Sequence, residues 1–175
     1  YYFDHQPTRT AVKSSVGQLG AGALRRITPH LPHPGTPIMK LDWEVLVVLD
    51  ACRPEALREV KDEYDFFPSA IDVTYSQASA SAEWMQSNFT AQYADEMART
   101  AHVTANPNSA SNMCAADWDV LDEVWRTGYD SERELIPPRP VTDRAVSMWR
   151  RRSTRRMIVH YIPPHQPYPG FAPEG

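Results

Sequence analysis

Hydrophobic and polar positions along this chain fall into blocks that predict strands followed by helices. Val45 to Leu49 is an unbroken β-branched and aliphatic run, which is typical of a strand buried on both faces of a parallel sheet. The run ends on Asp50, and Pro54 then opens a segment with helical spacing that we expect to extend to about residue 60. The pattern therefore predicts a strand, a carboxylate, a turn and a helix in that order.

The same alternation continues along the rest of the chain. It predicts short strands at 71–75, 100–106 and 157–162, and helices at 82–99, 117–126 and 141–152. The aromatic segment 64–67 is expected to cover the sheet. Strands that alternate with helices form right-handed βαβ units. We therefore expect an α/β fold of the alkaline phosphatase-like type, with a doubly wound, mostly parallel sheet and helices on both faces.

A separate lead-in precedes the first strand. Apolar residues recur at near-helical spacing over 11–27, and the prolines of 28–40 exclude a helix there. We therefore divide the chain into a helix and Pro-rich lead-in, 1–40, and an α/β domain, 41–175. The chain begins at Tyr1 rather than Met, and it ends in the loop-like PYPGFAPEG. We treat the domain as the N-terminal portion of a longer protein.

Composition restricts the classes of partner. A net charge of −4 provides no basic field to attract nucleic acid, and no apolar run reaches the length of a membrane span. The arginine-rich segment 150–156 is interpreted as the solvated end of a helix. Cys52 and Cys114 are interpreted as reduced thiols, because two cysteines are too few for a disulfide framework. We therefore expect a soluble, cytoplasmic protein that binds no nucleic acid and has no membrane span.

Two segments carry candidate chemistry. Asp50 lies where a parallel strand ends, the edge at which α/β proteins bind ligands, and it is either a helix N-cap or a metal ligand. The serines of YSQASASAEWM either form caps and turns or provide a hydroxyl nucleophile at a helix N-terminus, where the helix dipole stabilises an anion. The residues alone leave both pairs of alternatives open.

Four motifs resemble the alkaline phosphatase and sulfatase superfamily, particularly its archaeal sulfatase-like members. LDACRPEAL is similar to the first metal-ligand motif, in which a hydrophobic strand ends in Asp-x-x-Arg. ASASAEWM is similar to the Ser-rich turn whose nucleophile lies two residues before Glu-Trp, which makes Ser81 the counterpart and Ser79 the alternative. VTANP resembles a structural strand. HYIPPHQPY resembles a Pro-His-x-Pro segment whose histidine, here His165, faces the site, with His160 carried over only as a second histidine.

The resemblance implies a reaction and a set of roles. A hydroxyl nucleophile, Ser81, attacks a phosphate or sulfate ester and forms a covalent intermediate that water releases. Asp50, Ser81 and His165 are implied as ligands of a divalent metal, which would be zinc, calcium or manganese. His165 and Arg53 are implied in substrate binding, although Arg53 has the alternative of supporting the turn by local pairing. The substrate would be a small-molecule, lipid or glycan ester.

The chain also departs from the family pattern. The Cys-x-Pro-Ser-Arg motif of formylglycine sulfatases is absent, which favours phosphoryl chemistry through a plain hydroxyl. The Asp-His-Gly segment that completes the superfamily's metal site is also absent, so we expect an incomplete site that binds a metal poorly, and the chain is either an active hydrolase or a truncated, inactive form of one. The alternative interpretations are a noncatalytic sulfatase-like domain that binds a glycan or a partner, and a transferase of phospho-alcohol groups.

Overall fold

The computed structural model of this protein describes residues 35–133, 135–151 and 154–165. The predicted helix over 11–27 and most of the Pro-rich lead-in lie outside the described residues, and so does the Arg152 end of the last predicted helix. The boundary placed at residue 40 therefore stays a prediction.

Four parallel strands form one sheet. They are β1 (Val45–Leu49), β2 (Thr100–Thr104), β3 (Val120–Glu123) and β4 (Arg156–Tyr161), and their spatial order is β1-β4-β2-β3. The strand that comes last along the chain therefore lies between β1 and β2. This arrangement confirms the α/β class and the parallel sheet.

In the part of the chain that the structure describes, five helices connect and cover the strands. They are α1 (Pro54–Val60), α2 (Ser81–Asn88), α3 (Ala94–Met97), α4 (Ser109–Asn112) and α5 (Pro138–Arg150). Short 3-10 segments occur at Ile38–Lys40, Lys61–Glu63, Ala91–Tyr93, Ala115–Asp117 and Val124–Arg126. The pattern over 141–152 predicted α5, which begins three residues earlier because Pro138 suits the first turn of a helix.

Hydrophobic cores lie on both faces of the inner strands. On one face Val103 and Val159 pack in a cluster with Val141 and Ala145 of α5. On the opposite face Ile158 packs with residues of α3 and the segment before it, among them Met97 and Tyr93. Successive side chains of a strand point to opposite faces, so β2 and β4 are covered on both sides, as expected.

The prediction that β1 is buried on both faces is wrong. Val45, Val47 and Leu49 are all exposed, and Val47 retains 54% of its accessible surface. These residues lie on the same face as α5, because β1 pairs in register with β4. β1 is at the edge of the sheet formed by the described residues, and α5 packs on β4 and β2. An apolar run indicates a strand without indicating its place in the sheet.

Three other local predictions are wrong. Residues 71–75 form no strand, and the aromatic segment 64–67 does not cover the sheet, since Phe66 is 76% exposed and packs on its neighbours Tyr64 and Phe67. The predicted helix at 117–126 is instead β3 followed by a 3-10 turn. The apolar spacing there matched a helix, but pairing with β2 determines the conformation.

Two helix predictions need correction in detail. The segment 82–99 is interrupted, because Phe89 has a non-helical backbone (φ −104, ψ 69) and ends α2. Trp149 was expected on the buried face of α5 and is 39% exposed.

Candidate functional site

A cavity of about 620 Å³ opens at the carboxyl ends of β1 and β4. Parallel sheets bind ligands at this edge. The polar and titratable side chains around the cavity are Asp50, Cys52, Ser76, Ser79, Ser81, His160 and His165. Three of the four site residues predicted from the sequence, namely Asp50, Ser81 and His165, therefore share one cavity.

Asp50 occupies a sharp turn at the end of β1. Its backbone N donates to Tyr161 O, which continues the pairing of β1 with β4. The next residue, Ala51, has a left-handed backbone with φ 58, a conformation that residues other than glycine seldom adopt. The N-cap interpretation of Asp50 is wrong, since Arg53 precedes α1 at the cap position. The Asp50 carboxylate instead faces other elements of the fold.

Ser81 is the first residue of α2 and contacts Asp50 directly. Its Oγ donates a hydrogen bond to Asp50 Oδ2 at 2.8 Å. Ser79 also lines the cavity but is exposed in the turn before the helix. Of the two serines that the sequence left open, Ser81 is therefore the one bonded to the carboxylate.

Asn106 is a site residue that the sequence reasoning missed. It follows β2, is only 2% exposed, and donates from Nδ2 to Asp50 Oδ2 at 3.0 Å. Its position in the sequence could have indicated this role, because Asn106 is a polar residue just after β2, as Asp50 is after β1 and His165 is after β4. We had interpreted the whole VTANP segment as structural and therefore did not consider Asn106.

His160 lies at the buried end of β4 beside Asp50. It is 1% exposed, and its Nε2 is 4.0 Å from Asp50 Oδ2, which is too long for a hydrogen bond. Burial lowers the pKa of His160 to about 4, against the opposing effect of Asp50, so the imidazole is neutral at pH 7. His160 is thus a core histidine that also borders the cavity.

His165 and Arg53 differ in their relation to the cavity. His165 lines it, from an exposed position just beyond β4, and its backbone N donates to Ile162 O. The Arg53 side chain is 84% exposed, and its Nε lies 3.6 Å from Glu55 Oε2. Arg53 is not among the cavity residues. The structure therefore places Arg53 in the local pairing that was the alternative to substrate binding.

Among the described residues, the possible metal-binding atoms at this cavity do not form a complete metal site. The Asp50 carboxylate and the Ser81 hydroxyl are in contact, and His165 lines the same cavity. Within the described part of the chain, no group of three or more His, Cys, Asp or Glu residues is placed to hold a metal ion. A closed site usually needs four or more ligands, so these residues would supply only a part of one.

Cys52 and Cys114 are both free thiols, as predicted. Partial burial raises the pKa of the Cys52 thiol, which disfavours the reactive thiolate.

Two further findings concern membrane-spanning helices and similarity to known proteins. Among the described residues, no helix is long and apolar enough to cross a membrane. Comparisons with models of protein families, with curated proteins and with solved structures found no match.

Proposed function

We propose that this domain belongs to a metal-dependent hydrolase of phosphate or sulfate esters that uses Ser81 as its nucleophile. The observation that carries this proposal is the 2.8 Å hydrogen bond from Ser81 Oγ to Asp50 Oδ2 inside the cavity. A hydroxyl is a weak nucleophile until a neighbouring group accepts its proton. Here the hydroxyl already points its proton at a carboxylate.

The position of Ser81 suits attack on an anionic ester. Ser81 begins an eight-residue helix with no side-chain cap on its first turn. Free backbone N–H groups at a helix N-terminus favour a bound phosphate or sulfate. A substrate held there would present its central atom to Ser81 Oγ.

The reaction would proceed in two displacements. In the first, Ser81 Oγ bonds to the phosphorus or sulfur, the bond to the ester oxygen breaks, and the Ser81 proton passes to Asp50. The departing alkoxide takes a proton from water. In the second, water attacks the same central atom, Asp50 returns its proton to Ser81 Oγ as phosphate or sulfate leaves, and the proton lost by the attacking water neutralises the hydroxide formed in the first step.

The charge balance of the cavity explains why a cation is part of the proposal. Asp50 is anionic, neutral His160 adds no positive charge, and Arg53 points away toward Glu55. An anionic ester beside Asp50 would therefore be repelled. A divalent cation, either zinc, calcium or manganese, would neutralise the ester's non-bridging oxygens and promote loss of the hydroxyl proton. Asp50, Ser81 and His165 would hold part of its coordination sphere.

The size of the cavity is compatible with the proposed substrates. A cavity of about 620 Å³ open to solvent accommodates a small-molecule ester or the head of a lipid or glycan. We also propose that the sheet has the alkaline phosphatase-like arrangement, in which the nucleophile follows β1.

A noncatalytic sulfatase-like domain that binds a glycan or a partner is the second candidate. The incomplete set of metal-type donors among the described residues favours it. Such a domain would bind glycan equally well with and without a chelator. Ester turnover would be absent from it.

The test compares two neighbouring serines. Ser81→Ala should lower turnover of 4-nitrophenyl phosphate, bis(4-nitrophenyl) phosphate or 4-nitrophenyl sulfate by about 1,000-fold or more, because it removes the nucleophile. Ser79→Ala, the matched control in the same turn, should stay within about threefold of wild type. Each assay is run after chelation and again with added zinc, calcium or manganese, one of which should restore the lost activity.

Full activity in Ser81→Ala would contradict the proposal. So would wild-type turnover that a chelator leaves unchanged, since the charge argument requires a cation.

A further inference from the structure

We infer that Asn106 is the positioning residue that turns the Asp50 carboxylate toward Ser81. The inference deepens the proposed function and rests on it for its catalytic consequence. Its structural part concerns three side chains from three separate segments, Asp50 after β1, Ser81 at the start of α2 and Asn106 after β2.

Both hydrogen bonds to the carboxylate converge on one oxygen. Asp50 Oδ2 accepts from Ser81 Oγ at 2.8 Å and from Asn106 Nδ2 at 3.0 Å. A carboxylate at the end of a strand can rotate about its own side-chain bonds. Two donors at fixed places on the same oxygen remove that freedom and leave the other oxygen available to a ligand.

The Asn106 amide is itself held in one orientation. Its Oδ1 accepts from the backbone N and from the side-chain Nδ2 of Asn108, each at 3.0 Å, and Thr104 Oγ1 accepts from the Asn106 backbone N at 3.0 Å. Because two donors occupy Oδ1, the amide cannot flip without losing both. Its NH₂ group is therefore directed at Asp50.

A purely structural role makes a different prediction. Asn106 Oδ1 bonded to Asn108 N is an Asx turn, and such turns are common at the start of short helices such as α4. An aspartate or a serine at position 106 can form the same turn. Only the bond from Nδ2 to Asp50 requires asparagine.

The decisive variant is Asn106→Asp. It keeps the oxygen that accepts from Asn108 and replaces the NH₂ donor with a second oxygen facing Asp50. Repulsion between two carboxylates should move Asp50 off Ser81. A crystal structure of the variant should show Asp50 Oδ2 beyond hydrogen-bond distance of Ser81 Oγ. Asn106→Ser adds no charge, retains a turn-forming hydroxyl and is too short to reach Asp50, so it serves if the aspartate variant does not fold.

Asn112→Ala is the matched control. It removes the hydrogen bonds that the Asn112 side chain makes with Asn108 O and with Gln86 Nε2 and leaves those of Asn106 and Asp50 intact. It should lower the thermal midpoint and retain the hydrogen bond between Asp50 and Ser81.

Turnover gives the functional part of the test. Asn106→Asp and Asn106→Ser should lower kcat by about 10- to 100-fold, while KM stays within about threefold, because orientation of the reacting groups is lost rather than binding. Asn112→Ala should retain wild-type kcat. A residue that only stabilised the fold would give equal kcat values in all folded variants.

The outcomes separate the two claims. If Asn106→Asp or Asn106→Ser leaves the carboxylate bonded to Ser81, the positioning role is wrong whether or not the protein is an esterase. If that hydrogen bond is broken and kcat is unchanged while Ser81→Ala abolishes turnover, Asn106 has no part in catalysis. If no ester is turned over in a Ser81-dependent way, the proposed function fails and the crystal structures still decide the positioning.

Discussion

Strain at a single residue shapes the turn that presents Asp50. Ala51 has φ 58 and is exposed. The left-handed region costs an alanine about 1 to 2 kcal/mol relative to ordinary conformations. Backbone strain of this kind is concentrated at functional sites, where surrounding contacts maintain it. Ala51 directly follows Asp50, whose carboxylate accepts hydrogen bonds from Ser81 and Asn106. The strained residue is therefore adjacent to the hydrogen-bonded residues of the candidate site.

Glycine and valine at position 51 should therefore have opposite effects on the free energy of unfolding. Ala51→Gly should raise the free energy of unfolding by about 0.5 kcal/mol, because the relieved strain exceeds the added entropy of the unfolded chain. Ala51→Val should lower it by about 2 kcal/mol, because a β-branched residue is strongly disfavoured at this φ. Urea unfolding measures both.

Ala56 provides the control for this comparison. It is an exposed alanine inside α1, where Ala56→Gly should destabilise by about 1 kcal/mol. Equal effects of glycine at positions 51 and 56 would show that the turn is unstrained in solution.

The edge strand β1 combines exposure with function. Its outer face carries Val45, Val47 and Leu49, all exposed, while its carboxyl end supplies Asp50. Val47 pairs in register with Val159, which lies on the same face one strand further into the sheet and is 4% exposed. Val47 and Val159 are thus paired valines on the same face of the sheet that differ strongly in solvent exposure.

This pair predicts a contrast in stability. Val47→Thr should change the free energy of unfolding by less than about 0.5 kcal/mol, because the hydroxyl stays in water. Val159→Thr should cost about 1 to 3 kcal/mol, because it buries a hydroxyl in an apolar core. Urea unfolding of both variants measures the contrast. Comparable losses would mean that the face of β1 is covered in solution.

Buried histidines link the stability of the whole domain to pH. His102 and His160 stack with ring centroids 6.1 Å apart in the core. Burial, with a smaller effect of His160, lowers the pKa of His102 well below its ordinary 6.5, and burial lowers that of His160 to about 4. Neither nitrogen of His102 has a hydrogen-bond partner among the described residues. Both rings are therefore neutral in the folded state at pH 7.

The domain should lose stability as the pH falls from about 6.5 toward about 4. In that window the unfolded chain binds protons that the folded core excludes, so the free energy of unfolding decreases by up to about 1.4 kcal/mol per pH unit for each such histidine. His102→Leu should reduce this slope by about half. Urea unfolding at a series of pH values measures it, and an unchanged slope in His102→Leu would show that His102 binds its proton in the folded state.

The sequence by itself determined the elements whose signal is local. An unbroken apolar run was enough to predict β1, proline at a helix start indicated α1, and the helical spacing of apolar residues indicated α5, because these preferences act over a few neighbouring residues. The segment 117–126 shows the limit of such signals. Its spacing fits a helix, but pairing with the distant strand β2 makes it β3.

For the candidate site too, the sequence indicated some features and the tertiary structure decided others. The resemblance of three motifs to one superfamily singled out Asp50, Ser81 and His165 as candidates, and the fold gathers these residues around one cavity. Only the tertiary structure decided that Ser81 rather than Ser79 is bonded to Asp50, that Asn106 joins them and that Arg53 stays outside. The two hydrogen bonds to Asp50 join residues 31 and 56 positions apart in the sequence. The order of the parallel strands in the sheet brings these residues together, and no local sequence pattern specifies that order.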